Sequence, residues 1–405
     1  MVTPVGNDVA TTWRALLEGH SGAAPITKFD ASTFPVRFAC EVKGFDPLQY
    51  MDRKEAKRAD QFSQYAIAGA LQAMIDAGFG ADPLDDALGE RTGVILGSGI
   101  GGLKSFEEQH DQYRERGASK ISPFFIPMFI TDIAAGLVSM RFRARGPNFA
   151  TVSACSTGAH AIGEAFRTIR YGDADVMISG GAEATVTPMA IGGFANMKAL
   201  SERNDSPATA SRPFDLTRDG FVMGEGCGVV VLEELEHARR RGARIYGEIV
   251  GYGATADAHH LTAPAPEGEG AQRAMIRALS DAGLTTADIQ YINAHGTSTP
   301  TGDIAEVSAI AKVFGEHVRD INISSTKSAT GHMLGAAGAV EFIITTLATR
   351  DGVAPPTINY ETPDPAITVN VTPNKAVKRE ITSALTNNFG FGGHNVTLAV
   401  RKWEE

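Results

Sequence analysis

Apolar residues in this chain recur at two alternating periods. Short β-branched runs, such as Thr92-Gly-Val-Ile-Leu, Asp175-Val-Met-Ile-Ser and Gly228-Val-Val-Val-Leu-Glu, have the length of buried strands. Between them lie stretches of helical spacing. The chain opens with a loop and a short helix near residues 9–18. Pro25, Pro35 and Pro47 punctuate an irregular stretch over 20–50. The spacing predicts a helix from about residue 53 to 77, basic at first and then apolar through Tyr65, Ile67, Leu71 and Met74. Further helices are expected at 106–117 and 159–170, the latter with Ile162, Phe166 and Ile169 on one stripe. Residues 148–153 read as a buried strand, residues 121–130 as an unusually apolar loop-to-helix stretch, and residues 201–220 as a surface excursion.

From Ala243 onward the alternation repeats. Strands are expected at 245–251, 289–294 and 321–326, with helices at 268–283, 302–315 and 335–351. Two strands, 383–389 and 395–401, close the chain around Gly390-Phe-Gly-Gly. Strands alternating with helices define an α/β fold with layered sheets. The natural division falls into residues 1–242 and 243–405. An internal echo links the halves: the run from Thr157-Gly-Ala-His resembles the run from Leu334-Gly-Ala-Ala, and both place small residues on a first helical turn.

Composition narrows the class. The 405 residues carry 37 basic and 47 acidic side chains, a net charge of −10, which disfavours nucleic acid and anionic membranes as partners. Three widely spaced cysteines form no disulfide framework and point to a reducing, cytoplasmic setting. No apolar run approaches the ~18 residues of a membrane span.

Cys155 is the chemical focus. It stands between a strand and a helix, in Ser153-Ala-Cys-Ser-Thr-Gly, where unpaired N–H groups and the helix dipole favour an anion. That environment is expected to lower the thiol pKa. A buried structural cysteine is the competing reading. Three distant motifs favour chemistry. Asn293-Ala-His295-Gly-Thr297-Ser-Thr299 delivers a histidine at a strand end. Lys327-Ser-Ala-Thr-Gly-His332 delivers a second before a glycine-rich helix, with Lys327 and Glu341 able to orient it. Asn387-Asn-Phe-Gly390-Phe391-Gly-Gly-His394 sets a bulky ring on a glycine hinge. A zinc site would need cysteines or histidines two to four positions apart, and this pattern does not supply them. A Cys–His protease would leave the second histidine and Lys327 idle.

Taken together, these motifs resemble the β-ketoacyl-[acyl-carrier-protein] synthases, closest to the type II (KAS II) condensing enzymes, over nearly the whole chain. Both histidines set it apart from His/Asn-type condensing enzymes, and the cysteine from chain-length-factor subunits. The resemblance implies a thiolase fold, with two similar βαβαβαββ halves in five αβαβα layers, and a homodimer. It implies a decarboxylating Claisen condensation of acyl-ACP with malonyl-ACP, with Cys155 as nucleophile and His295 and His332 as donors to the malonyl thioester oxygen. Lys327 and Glu341 would support His332, and Phe391 would gate the site and share an oxyanion hole with Cys155. Thr297 and Thr299 would contact a phosphopantetheine arm that arrives on the carrier protein, with no other cofactor. Ile100 and Phe194 match acyl-tunnel positions, and Phe125 would reach the partner subunit's tunnel. Lys54, Lys57, Arg58 and Lys198 would dock the acidic carrier. A polyketide ketosynthase and an inactive carrier-binding subunit are the alternatives. The family usually opens with an apolar strand ahead of the position of Met1. A start placed too late is the expected reason for its absence, and an unpaired sheet edge the expected result.

Overall fold

Nine strands and six helices position the site in the computed structural model, which describes residues 1–404. The strands are β1 (Thr92–Gly97), β2 (Asn148–Phe149), β3 (Val176–Glu183), β4 (Gly226–Glu233), β5 (Glu248–Ala256), β6 (Tyr291–Asn293), β7 (Asn322–Ser324), β8 (Ser383–Gly390) and β9 (His394–Arg401). The helices are α1 (Gln61–Asp76), α2 (Ile133–Phe142), α3 (Thr157–Arg170), α4 (Glu269–Ala282), α5 (Pro300–Phe314) and α6 (Ala337–Asp351).

The first sheet runs β2-β1-β3-β4 and the second β5-β9-β8-β6-β7. In each, parallel strands lead to an antiparallel pair, β3 with β4 and β8 with β9, and in the second sheet β5 adds antiparallel to β9. The sheets therefore share one topology, β1 answering to β6, β2 to β7, β3 to β8 and β4 to β9. The place answering to β5 holds the first residues of the chain, where Val2 bridges Cys227 of β4 in antiparallel sense. Their N–H groups each donate to the other's carbonyl, at 3.0 and 2.8 Å.

Helices α3 and α6 form the layer between the sheets, touching each other and strands of both. Helices α1 and α2 cover the outer face of the first sheet. On the second, Met275 and Leu279 of α4 and Val307 and Ile310 of α5 pack with Ile292, Ile323 and Leu385 in one core cluster. Full burial of each such side chain stabilises by ~1.5–3 kcal/mol. The result is the five-layered αβαβα order.

The middle layer closes because its helices touch through glycine. A Cβ on Gly158 would lie 2.9 Å from the Ala339 nitrogen, and one on Gly338 would lie 2.8 Å from the Ala159 nitrogen. These reciprocal contacts fix the correspondence of the halves: Gly158 answers to Gly338 and Ala159 to Ala339. The echo thus runs three residues out of step with the alignment of Thr157 on Leu334. Leu334 answers instead to Ala154, and both take a left-handed φ, 44° and 50°.

Three other expectations are corrected. The predicted helix over 53–77 is two helices, Arg53–Ala56 and α1, because the buried Asp60 carboxylate accepts from Phe62 N and caps the second. Residues 148–153 form only the two-residue β2, and both of its residues are exposed. The 201–220 excursion is substantially internal: Arg212, Phe214, Asp215 and Arg218 are buried. Arg218 donates to Asp364 Oδ2 (2.7 Å) and to the carbonyls of Thr299 (3.2 Å) and Pro300 (3.0 Å), so its charge is satisfied inside.

Candidate active site

Cys155 lies in the single helical turn Ala154–Ser156 that runs into α3. The left-handed φ of Ala154 makes the sharp entry and brings the sulfur under the β8–β9 hairpin. Ser156 Oγ fastens that approach, donating to the carbonyls of Asn388 (3.0 Å) and His394 (2.8 Å) on the two hairpin strands. Gly390 has to be glycine, since a Cβ there would stand 2.6 Å from the Ser153 carbonyl oxygen. The backbone N–H of Phe391, the next residue, lies near enough to the Cys155 sulfur to favour its anion.

The thiol itself departs from expectation. Burial pushes Cys155 up to about 12, against the lowering effect of the Lys327 charge and the Phe391 N–H. In this dry pocket desolvation outweighs the stabilisation expected at a helix start, so the resting group is a neutral thiol.

Both histidines reach the same cavity from the second sheet. His295 follows β6, and the buried Glu306 carboxylate on α5 accepts the N–H of His295 (2.8 Å) and of Gly296 (2.7 Å). Burial raises Glu306 to about 7. The His332 N–H donates to the Val222 carbonyl at 2.7 Å. The two rings stand edge to face, 5.3 Å between centroids. Burial first, and the Lys327 charge second, hold both imidazoles well below their usual pKa, so both are neutral. Each Nδ1 is buried without a partner, which leaves Nε2 as the nitrogen available to the cavity.

Lys327 and Glu341 are brought together, but not onto the His332 ring. They pair with each other at 2.5 Å, fully buried, and Asn388 Nδ2 donates to the second carboxylate oxygen at 2.6 Å. Lys327 reaches the histidines through its field alone.

A cavity of ≈ 520 Å³ joins these groups. Its walls include Cys155, His295, His332, Phe391 and Glu306, with Ile100, Phe194, Lys198, Thr297 and Thr299. The hydroxyls of Thr297 and Thr299 lie 3.0 Å apart. Phe391 sits 6.4 Å from the Phe194 ring, on a hinge whose Gly392 and Gly393 take φ of 87° and 75°. Phe125 is not a wall of this cavity. It stacks on Phe129 and lies against Phe106 instead. Lys54, Lys57 and Arg58 also lie away from the cavity, exposed, with Arg58 over the Phe124 ring at 4.3 Å. Sequence reasoning missed Glu306 and Asn388. For Glu306 a signal existed: an acidic residue three positions after Asp303, in the opening turns of the helix that follows the His295 loop.

A cysteine at the start of one central helix, facing two histidines from the opposite sheet within this layered fold, defines a thiolase-like condensing enzyme. The chain belongs to the β-ketoacyl synthase family. Its residues 1–238 match the model for the beta-ketoacyl synthase N-terminal domain, and residues 246–361 match that for the C-terminal domain. It is 52% identical over 403 residues to a 3-oxoacyl-[acyl-carrier-protein] synthase 2 of Staphylococcus aureus, covering 100% of this chain and 96% of the relative. A protein of the same name from Synechocystis is 50% identical, with the same coverage. Among solved structures, a beta-ketoacyl synthase from Burkholderia phymatum aligns with a TM-score of 0.92 at 35% identity, covering 100% of this chain and 97% of the other. A type II polyketide ketosynthase in complex with its acyl-carrier protein aligns at 0.90 and 33% identity, with the same coverage.

Proposed function

We propose that this enzyme elongates fatty acyl chains by two carbons, condensing acyl-ACP with malonyl-ACP to give 3-oxoacyl-ACP. The observation that carries the reading is the meeting, in one cavity, of a thiol under a backbone N–H and two neutral imidazoles. In the first step the Cys155 sulfur attacks the acyl thioester. Its proton passes to the departing pantetheine sulfur, and an acyl-Cys155 thioester remains. Malonyl-ACP then loses carbon dioxide. The electron pair left behind becomes an enolate, whose thioester oxygen accepts from Nε2–H of His295 and His332. Neutral rings suit this task, since each can donate without holding a permanent charge in the dry pocket. The enolate carbon attacks the acyl carbonyl, the N–H groups of Cys155 and Phe391 hold the oxyanion, and collapse releases the cysteine thiolate, which takes up one proton from solvent.

Burial, reinforced by the charge of Lys327 anchored by Glu341, keeps both imidazoles unprotonated. Thr297 and Thr299 at the cavity wall suit the amide groups of a phosphopantetheine arm, which the carrier protein brings, and no other cofactor is needed. Ile100 and Phe194 line the space for the acyl chain, and Phe391 gates it. Lys198 at the cavity, with Lys54, Lys57 and Arg58, offers basic contacts to an acidic carrier, against a net charge of −10. The chain works as a cytoplasmic homodimer of two-part subunits, divided at residues 242 and 243. No helix among the described residues is long and apolar enough to cross a membrane. The polyketide alternative draws on ketosynthase neighbours at 33–34% identity, below the 50–52% to the fatty-acid type.

Intact mass after incubation with a fatty acyl-ACP tests the proposal. The wild type should gain one acyl group and Cys155→Ser none. A wild type that stays unmodified refutes it.

A further inference from the structure

Where β8 ends in Gly390, its counterpart β3 ends in Glu183. That side chain is fully buried, and burial raises its pKa. Four donors converge on it. Ser98 Oγ (2.8 Å) and the Ile100 N–H (3.2 Å) reach Oε1, and the N–H groups of Gly99 (2.8 Å) and Gly335 (2.9 Å) reach Oε2. Bonds to a charged acceptor are the stronger kind, and a buried carboxylate needs them.

The pseudo-two-fold relation gives this cluster its meaning. With Gly158 answering to Gly338, Cys155 answers to Gly335. The carboxylate therefore occupies, in the second half, an N–H equivalent to that of the catalytic cysteine in the first. Gly335 has no room for a side chain, since a Cβ would stand 2.4 Å from the Gly99 nitrogen. The same atoms form the catalytic cavity: Gly99, Ile100 and Leu334 are among its walls, and Ile100 and Leu334 share the apolar cluster of Cys155.

We propose that Glu183 is a positioning residue for acyl-chain recognition. Its carboxylate ties the Ser98–Ile100 wall of the first half to the Leu334–Gly335 turn of the second, and so fixes the width of the pocket beside Cys155. The inference rests on the condensing reading above. A short acyl chain fills little of that pocket, whereas a long one has to pass the Ile100 wall. Glu183 touches neither histidine, so the decarboxylation half-reaction does not depend on it.

Glu183→Gln keeps the size but turns an amide NH₂ toward N–H donors. Ser98→Ala removes one donor and keeps the carboxylate. For both, acyl-enzyme formation is followed by intact mass with a four-carbon and a sixteen-carbon acyl-ACP, and malonyl-ACP decarboxylation is measured alongside. In Glu183→Gln the ratio of long-chain to short-chain rates should change roughly tenfold, the size of effect that pocket contacts supply, while decarboxylation holds. A ratio within about threefold of wild type, or a parallel fall in decarboxylation, overturns the proposal. If Glu183→Gln does not fold, Ser98→Ala decides: its ratio should move by about twofold or more, and an unmoved ratio overturns the proposal. A wild type that takes up no acyl group at all sinks the condensing reading instead, whatever the variants do.

Discussion

His295 and His332 carry no hydrogen bond from protein to either ring nitrogen pair that would stabilise a charge, and burial keeps them neutral. An unfolded imidazole titrates near 6.5, while these titrate well below it. Below about pH 6.5 the unfolded chain thus binds more protons than the folded one. Their contribution to stability is full above that pH and falls as pH drops, by up to ~1.4 kcal/mol per unit for each ring. Urea unfolding at pH 7.5 and 5.5 should show a smaller loss for His295→Gln/His332→Gln than for the wild type. Equal losses would contradict the neutral, desolvated state. The sequence pointed to side chains that meet in one cavity but not to their partners. The spacing of Lys327, His332 and Glu341 allows either ion pairing or support of the ring, and only the fold shows that Glu341 takes the lysine.

Among the elements, the regular strands and helices were readable because their apolar periods match their burial. β8 and β9 lie within a residue or so of where alternation places them. The exceptions share a cause: their environment is made by distant residues. Arg212, Asp215 and Arg218 read as solvent-facing, yet they are internal because Asp303, Asp364 and nearby carbonyls satisfy them. The contact between α3 and α6 was foreshadowed by small residues, while its register needed coordinates. Gly158→Val should push the Ala339 backbone away and destabilise the fold by ~1–3 kcal/mol or more, an overpacking cost. Thermal melting of the variant checks this, and an unchanged midpoint would mean that the central layer is looser than the contact distances imply.

For the whole molecule, the misread strand β2 matters most. Phe149 and Val152 around it are exposed, as are Met140 on α2, Phe106, and Phe124 and Ile126 in the apolar 121–130 stretch. An unpaired strand edge beside so much apolar surface is a site for association. A second copy of the chain, with its β2 antiparallel to the first, would cover both and account for the apolar reading of residues 148–153. Phe149→Glu should shift sedimentation from dimer to monomer and leave the single-chain fold intact by circular dichroism. A wild type already sedimenting as a monomer would reject the homodimer.

The left-handed entry shared by Ala154 and Leu334 has a last consequence. Duplicated architecture offers two equivalent cradles for negative charge, and this chain furnishes only one of them with sulfur. The other is shut by an internal anion and by the lack of space for any substituent at Gly335. On the proposed reading one polypeptide can therefore hold a single acyl group at a time, at Cys155, and no second one can be stored on the opposite half.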